Sequence, residues 1–236
     1  MHTLHRRTTD RLGEEICSGV YAPGDVLSPE PLLGERLGVS RIVVREVIKS
    51  LASKGMLAVR RKTGTVVLDP GNWSLFDPDI ISWRARTATL DEALARELME
   101  LRRIVEPAAC RFAAQRISAA EKSALRASLA AMQCAIDGDG DYVAADLAFH
   151  TTILKACHNQ FVRQMQSALG AILQTSFELS TKPGGPARSQ PLHAALCRAI
   201  EAGKAESAER AAQKIIAQAE ADLRQRFAGA GQAKHH

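Results

Sequence analysis

Apolar residues recur at helical spacing between residues 33 and 55, and this is the clearest periodic pattern in the chain. Gly38 follows Leu37 as a helix stop, and Ser40 stands where an N-cap would start a second helix that runs to about Lys54. Four apolar residues of that second helix share one side at a spacing of about 3.6 residues: Val43, Val47, Ile48 and Leu51. The spacing predicts a short helix, a turn and a longer amphipathic helix.

The other side of the second helix is basic, because Arg41, Arg45 and Lys49 fall there. Arginine near the start of a helix suits bidentate pairing with guanine in the major groove, and Ser40 with the first-turn amides suits a phosphate. Ordinary amphipathic surface helices with solvated arginines have the same pattern. The flanking sequence has to decide between the two interpretations.

The residues after Gly55 predict a two-stranded wing. Two β-prone runs, 57–60 and 65–68, flank a turn at 62–64 whose basic side chains and glycine backbone suit a minor groove or a phosphate. A basic hairpin beside a recognition helix favours DNA binding. The candidate DNA contacts are Ser40, Arg41, Arg45, Lys49, Lys62 and Gly64.

The first 68 residues resemble the winged helix-turn-helix domain of GntR-family bacterial transcription regulators. The resemblance rests on the stretches SGVYAPGDVL, LGVSRIVVREVIKSLASKG and TGTVV. It implies that Ser40, Arg41, Arg45 and Gly64 contact DNA. Pro31 departs from the family pattern, since many members have an arginine at that contact position.

The pattern is helical from about Leu90 to the end of the chain. Predicted helices cover residues 91–116, 118–136, 141–158, 161–180, 188–202 and 204–227. Pro107 is expected to bend the first of them, and Ser118 with Glu121 forms a capping box. The predicted fold is mainly α, with an N-terminal winged helix-turn-helix domain (1–68), a linker (69–89) and a C-terminal all-helical bundle (90–230).

The linker is rich in proline, glycine and aspartate, which predicts irregular chain. Its apolar content, including Trp73 and Trp83, indicates that it docks against a neighbour. The two tryptophans are interpreted as packing between the domains; the alternative is a platform on which a ligand stacks.

Charge and cysteine content add an expected partner and location. Residues 1–68 contain 11 Lys and Arg against 7 Asp and Glu, whereas residues 69–236 contain 20 against 19. The excess of positive charge in residues 1–68 therefore indicates double-stranded DNA as the partner of the first domain. Five dispersed cysteines and the lack of a signal-like or membrane-spanning run predict a cytoplasmic protein without membrane association.

Asp146 and His150 lie four residues apart on one predicted helix, so both side chains rise from one face. With His193 from another helix they form a candidate site for a divalent metal such as Zn²⁺, Ni²⁺ or Mn²⁺. Spacing alone also fits a surface hydrogen-bonded pair of Asp146 and His150.

The second domain resembles the FCD effector domain of the FadR-type branch of the same family. Matching stretches are ELMELRRIVEPAACRFAAQR, KACHNQF and LHAALCRAIEAGKAESAERAA, together with Asp146 and His150. The resemblance implies metal ligation by Asp146, His150 and His193, but Ile215 stands where a fourth ligand is usual. The site is then either completed by water or effector, or empty.

Arg102 matches a family arginine that can pair with an effector carboxylate; the alternative is an internal salt bridge to Glu106. The NWSLFDPDIISW stretch is similar to family members that respond to sugar acids such as D-galactonate. The effector is therefore expected to be a sugar acid or other hydroxy-carboxylate, bound by Arg102, Asp146, His150 and His193.

The sequence as a whole predicts a homodimeric repressor of sugar-acid catabolism genes and no enzyme activity. A dimer is expected because one winged helix contacts few base pairs. The competing classes are a metal-dependent hydrolase with a DNA-binding appendage, a regulator of another small carboxylate, and an architectural DNA-binding protein without effector.

Overall fold

The structure is a computed structural model that describes residues 3–87, 92–165, 170 and 185–232. It consists of two compact units, Met1–Asp91 and Glu92–His236. Described residues of the first unit form helices and one two-stranded sheet, and those of the second form helices. The predicted mainly α fold is confirmed. No described helix is long and apolar enough to cross a membrane.

The first unit begins with three helices: α1 (Leu4–Cys17), α2 (Glu30–Leu37) and α3 (Arg41–Ser53). The α2 helix ends at Gly38, where a left-handed backbone with φ of 69° stops it. Ser40 then caps α3 by accepting a hydrogen bond from the backbone N–H of Val43. The helix-turn-helix agrees with the prediction, except that Val44 rather than Val43 is fully buried.

A two-stranded antiparallel wing follows, with β1 at Leu57–Arg60 and β2 at Gly64–Val67. Residues 61–63 form its tip. Lys62 has a left-handed backbone there (φ 73°), which is uncommon for a residue other than glycine. The predicted wing is confirmed, and its basic tip lies at the end of the hairpin.

The segment after the wing is more regular than the sequence predicts. A 3₁₀ turn (Pro70–Asn72) precedes a helix, α4 (Pro78–Thr87). Asp77 accepts a hydrogen bond from the N–H of Asp79, and Pro78 at the first turn needs no hydrogen-bond acceptor there. The expectation of irregular chain at these residues was wrong. It gave the proline, glycine and aspartate content more weight than the helix-start signals of Asp77 and Pro78.

Both tryptophans lie in the core of the first unit. Trp83 is fully buried and donates from Nε1 to Asp10 of α1 at 3.0 Å, while Trp73 donates to the carbonyl of Leu68. A Cβ at Gly13 would lie 2.5 Å from the Trp83 ring, so α1 needs glycine at this close approach. These rings pack within the first unit, which corrects the expectation of packing between domains and leaves no exposed platform.

The second unit contains α5 (Glu92–Arg116), α6 (Ala119–Ile136), α7 (Tyr142–Ala156), α8 (Gln160–Gln164), α9 (Gly185–Glu201) and α10 (Ala205–Gln232). The α5 helix continues through Pro107. The predicted capping box of Ser118 and Glu121 is present at the start of α6. The predicted helix at 161–180 lies mostly outside the described residues. Packing of α5, α7, α9 and α10 against one another places polar side chains from three of them in the interior.

Candidate functional site

The basic face of α3 is organised by a carboxylate from α2. Glu30 Oε2 accepts from Arg41 Nε at 2.8 Å and from Arg45 Nε at 3.0 Å. These two hydrogen bonds hold the pKa of Glu30 below its usual value. Because each arginine gives its Nε to Glu30, the two outer guanidinium nitrogens of each lie outside these hydrogen bonds.

The other predicted DNA contacts also lie on the surface of the first unit. Ser40 uses its oxygen as the α3 cap, so its hydroxyl hydrogen is available to a phosphate. Lys49 is paired with Glu46 at 2.9 Å on the exposed side of α3. Lys62 and Gly64 lie at the wing tip and at the start of β2.

Ile42 is a surface feature that the sequence reasoning missed. Its side chain is 76% exposed although it lies between Arg41 and Val43 on the recognition helix. Exposed β-branched residues on such a helix are suited to contact the methyl group of thymine. The available signal was its position, since Ile42 does not belong to the apolar stripe of Val44, Val47, Ile48 and Leu51.

The structure brings Asp146, His150 and His193 together inside the second unit. Asp146 Oδ1 lies 3.4 Å from His150 Nε2 and 3.2 Å from His193 Nε2, and the two Nε2 atoms are 3.3 Å apart. All three residues are buried, and Asp146 has no solvent exposure. They are close enough to share one ion, which excludes the alternative of an exposed surface pair.

Neighbouring groups orient the two imidazoles. His193 Nδ1 lies 2.9 Å from the carbonyl of Ser189, and His150 Nδ1 lies 3.4 Å from Glu106 Oε2. If each Nδ1 carries the hydrogen, both Nε2 lone pairs converge with the Asp146 carboxylate. Neither Asp146 oxygen has a well-formed hydrogen bond among the described residues. Three converging groups with lone pairs need a proton or a cation between them. The Asp146 carboxylate and the two imidazoles therefore fit the ligand set of a divalent metal.

The pKa shifts of Asp146 and His150 also favour a bound cation. Burial opposes the charged form of His150, yet the carboxylates of Asp146 and Glu106 outweigh burial and raise its pKa to about 9. Burial likewise opposes ionisation of Asp146, but the two histidines hold its pKa below the usual range. The cluster is therefore attractive to positive charge, and a metal would replace the proton on His150.

Arg102 lies beside this cluster and is also buried. Its Nε donates to Glu106 at 2.6 Å, so the predicted internal salt bridge is present. Arg102, His193 and Ile215 nevertheless line the same cavity, which has a volume of about 50 Å³. Arg102 therefore forms this salt bridge and lines the cavity at the same time. Ile215 contributes only an apolar surface, and no fourth ligand is supplied at that position.

Comparisons with known proteins agree with this two-part organisation. Residues 4–67 match the model of bacterial regulatory proteins of the gntR family, and residues 97–218 match the FCD domain. The chain is 31% identical over 215 residues to the galactonate operon transcriptional repressor of Escherichia coli, covering 89% of this chain and 93% of that one. It is 30% identical over 209 residues to YieP, an HTH-type transcriptional regulator of the same organism, covering 88% and 90%.

A solved structure shares the fold. The Listeria monocytogenes protein Lar, described as controlling expression of the agr system, superposes with a TM-score of 0.67 at 19% identity and covers 95% of this chain and 98% of its own. At that identity the likeness concerns the fold alone. The two family matches and the 31% identical relative together show that the chain belongs to the GntR family of bacterial transcription regulators and carries an FCD domain.

Proposed function

We propose that this regulator is a repressor that binds operator DNA through its first unit and is released when a small sugar acid binds in its second unit. The observation that carries the proposal is the buried cluster of Asp146, His150 and His193 beside the cavity lined by Arg102. A relative named as a galactonate operon repressor supports both the repressing role and the D-galactonate-like class of effector.

In the proposed complex with DNA, Arg41 and Arg45 read base edges in the major groove. Glu30 fixes the two guanidinium groups side by side before binding, which lowers the entropy lost on contact. Ile42 adds an apolar contact to a thymine methyl. Contacts to the phosphates come from Ser40, Lys49, Lys62 and Gly64.

In the proposed effector site, Asp146, His150 and His193 hold a divalent metal such as Zn²⁺, Ni²⁺ or Mn²⁺. When bound, the metal supplies positive charge to which oxygens of the acid can be attached. Arg102 contacts the carboxylate of the same acid from the cavity wall. Because Ile215 offers no ligand atom, the effector or water would complete the coordination of a metal held by Asp146, His150 and His193.

A homodimer is part of the proposal, held mainly by residues 69–236. Two copies related by a two-fold axis double the number of base pairs read, which one winged helix cannot achieve. Light scattering at micromolar protein should give twice the chain mass, and a monomer would contradict this part.

A metal-dependent hydrolase is not supported as an alternative. Glu106 lies 3.4 Å from His150 of the cluster, and it is already paired with buried Arg102. It is therefore poorly placed to act as a general base. An architectural protein without effector is not supported either, since such a protein needs no buried polar set beside a cavity.

The proposal is tested with the purified full chain and the DNA upstream of its own gene. Fluorescence anisotropy should show release of the DNA by one class within a panel of aldonic, uronic and keto acids, and chelation should weaken the response. By linkage, DNA should lower affinity for the acid by the same factor by which the acid lowers affinity for DNA. A panel that releases no DNA would reject the effector class.

Variants separate the metal from the rest of the proposal. His150→Ala and His193→Ala should lose the response to the acid while operator affinity is retained. His158→Ala is the matched control, because this exposed histidine of the same unit pairs with Glu121 away from the cluster. A normal response in His193→Ala, with no metal found by elemental analysis of the unmodified protein, would reject the metal.

A further inference from the structure

The cavity beside the cluster of Asp146, His150 and His193 has one wall formed by α10. Its lining includes Ile215, Gln218 and Asp222, which fall on one face of that helix in successive turns. The step of seven residues from Ile215 to Asp222 corresponds to about 10 Å along the helix axis. Asp222 therefore lies about two helical turns from Ile215 along the cavity wall.

The hydroxyl groups of Tyr142 and Ser189 line the same cavity and have a fixed direction of hydrogen bonding. Ser189 donates its single hydroxyl hydrogen to the carbonyl of Pro186 at 3.0 Å. The Tyr142 hydroxyl lies 2.7 Å from Ser189 Oγ, so Tyr142 is the donor of that pair. Both hydrogens are thus used within the protein, and the remaining lone pairs of the two oxygens are acceptors.

Gln218 and Asp222 extend this acceptor character. Gln218 Nε2 donates to Asp222 Oδ1 at 3.1 Å, and Arg188 Nη2 lies 3.5 Å from the same oxygen. A carboxylate only accepts, so the amide nitrogen of Gln218 must face it and its amide oxygen is left as an acceptor. Among the described lining side chains, those of Tyr142, Ser189, Gln218 and Asp222 therefore present acceptor atoms to a ligand. The second amide hydrogen of Gln218 is the one donor left among these four, so a ligand there has to supply mainly donors.

Among the described residues, the charges around the cavity favour a ligand with one negative charge. Arg102 is balanced by Glu106 at 2.6 Å, and Asp222 is partly balanced by Arg188. Asp146 cancels one charge of a divalent metal, which leaves a single positive charge at the site. One carboxylate balances that charge, whereas a second carboxylate would lie uncompensated against Asp222.

We infer that the cavity selects a polyhydroxy monocarboxylate, an aldonate, whose hydroxymethyl end donates to the acceptor wall of Tyr142, Ser189, Gln218 and Asp222. An aldarate of the same length, in which that end is a second carboxylate, is excluded. This inference rests on the proposed function and specifies its effector class. Asp222 is the residue that distinguishes the two kinds of acid.

The test is isothermal titration calorimetry on the full chain with added Zn²⁺, using D-galactonate, galactarate and 6-aminohexanoate. D-galactonate should bind at least about 100-fold more tightly than galactarate, because juxtaposed like charges cost several kcal/mol. In Asp222→Asn, affinity for D-galactonate should fall by no more than about tenfold and the ratio of the two affinities should shrink at least about tenfold. Asp139→Asn, an exposed carboxylate of the same unit outside the cavity lining, should leave the ratio unchanged.

Galactarate binding as tightly as D-galactonate would overturn the inference and leave the sugar-acid proposal in place. An unchanged ratio in Asp222→Asn would overturn the role of Asp222. Tighter binding of 6-aminohexanoate than of D-galactonate would mean that the wall accepts from an ammonium group instead of hydroxyls, and would also overturn it. If none of the acids binds, the proposed function fails and the inference fails with it.

Discussion

Glu30 beside the basic face of α3 and Glu106 beside the buried cluster of Asp146, His150 and His193 have similar roles in opposite surroundings. The Glu30 side chain is 28% exposed and hydrogen bonds to Arg41 and Arg45. The Glu106 side chain is 5% exposed and lies against Arg102 and His150. In water such a pair mainly fixes orientation, since hydration of the separated charges nearly matches their attraction. Inside the protein, removal of one partner leaves a charge that nothing compensates.

Removal of the Glu106 charge should have the largest effect. Glu106→Gln leaves Arg102 buried and uncompensated, so the free energy of unfolding should fall by about 3–5 kcal/mol. Affinity for metal should fall by about 10- to 100-fold, since His150 also loses its carboxylate partner. Differential scanning calorimetry and metal titration measure the two effects.

Two further variants test the cause of that loss. Glu97→Gln removes an exposed carboxylate from the same helix and should change the free energy of unfolding by less than about 0.5 kcal/mol. Glu106→Gln combined with Arg102→Met should recover part of the stability, because the buried charge is then gone. If the double variant is less stable than Glu106→Gln, burial of the Arg102 charge is not the cause.

Arg45→Ala comes next and concerns DNA affinity. It should cost about 1–3 kcal/mol at the operator and reduce discrimination between bases, because a bidentate contact to a base edge is lost. Lys62→Ala at the wing tip should weaken all duplexes alike and lower the salt dependence, as expected for a phosphate contact. Anisotropy titrations with operator and scrambled duplexes distinguish the two. Unchanged operator affinity in Arg45→Ala would reject α3 as the reading helix.

Asp79 is intermediate in burial between Glu30 and Glu106. Its side chain is 20% exposed and accepts hydrogen bonds from both Arg6 and Lys54. Burial raises its pKa, but the hydrogen bonds from Arg6 and Lys54 outweigh burial and hold that pKa below the ordinary value. Its contribution to stability is therefore present above about pH 4 and is lost as the pH falls through the folded pKa.

Asp79→Asn should lower the free energy of unfolding by about 1 kcal/mol at pH 7, since Arg6 is partly solvent-screened. The difference from the unmodified protein should narrow as the pH falls below about 4, because the contribution of Asp79 is lost as the pH drops through its folded pKa. Urea unfolding followed by tryptophan fluorescence reports on this unit, because both tryptophans lie in it. Glu35→Gln on α2 is an exposed control. A difference that grows on acidification would contradict the assignment.

The local features were predictable because their signals are local. Ser40 and Gly38 mark helix ends by their own chemistry, and the spacing of Asp146 and His150 places both on one helical face. The α4 helix was missed because its signals, Asp77 and Pro78, also occur in loops.

The supporting groups were not predictable, because they depend on tertiary packing. Glu106 reaches His150 across 44 positions of sequence, and spacing gives no indication of this contact. The same holds for the cavity, in which Ser189 and Asp222 come from different helices. His193 was a candidate ligand from its position on another helix and from family resemblance, but the carbonyl of Ser189 that lies 2.9 Å from its Nδ1 is visible only in the structure.

Loss of the Glu30 charge should have the smallest effect on stability and separates orientation from stabilisation. Glu30→Gln should lower the free energy of unfolding by less than about 1 kcal/mol, because both arginines remain hydrated. Operator affinity should nevertheless fall by about 3- to 10-fold, since Arg41 and Arg45 then lose entropy on binding DNA. Glu46→Gln, which removes the partner of Lys49 on the same helix, is the matched control and should affect both quantities less. If Glu30→Gln leaves operator affinity unchanged, or raises it by relieving repulsion of phosphate, Glu30 does not prepare the two arginines for DNA.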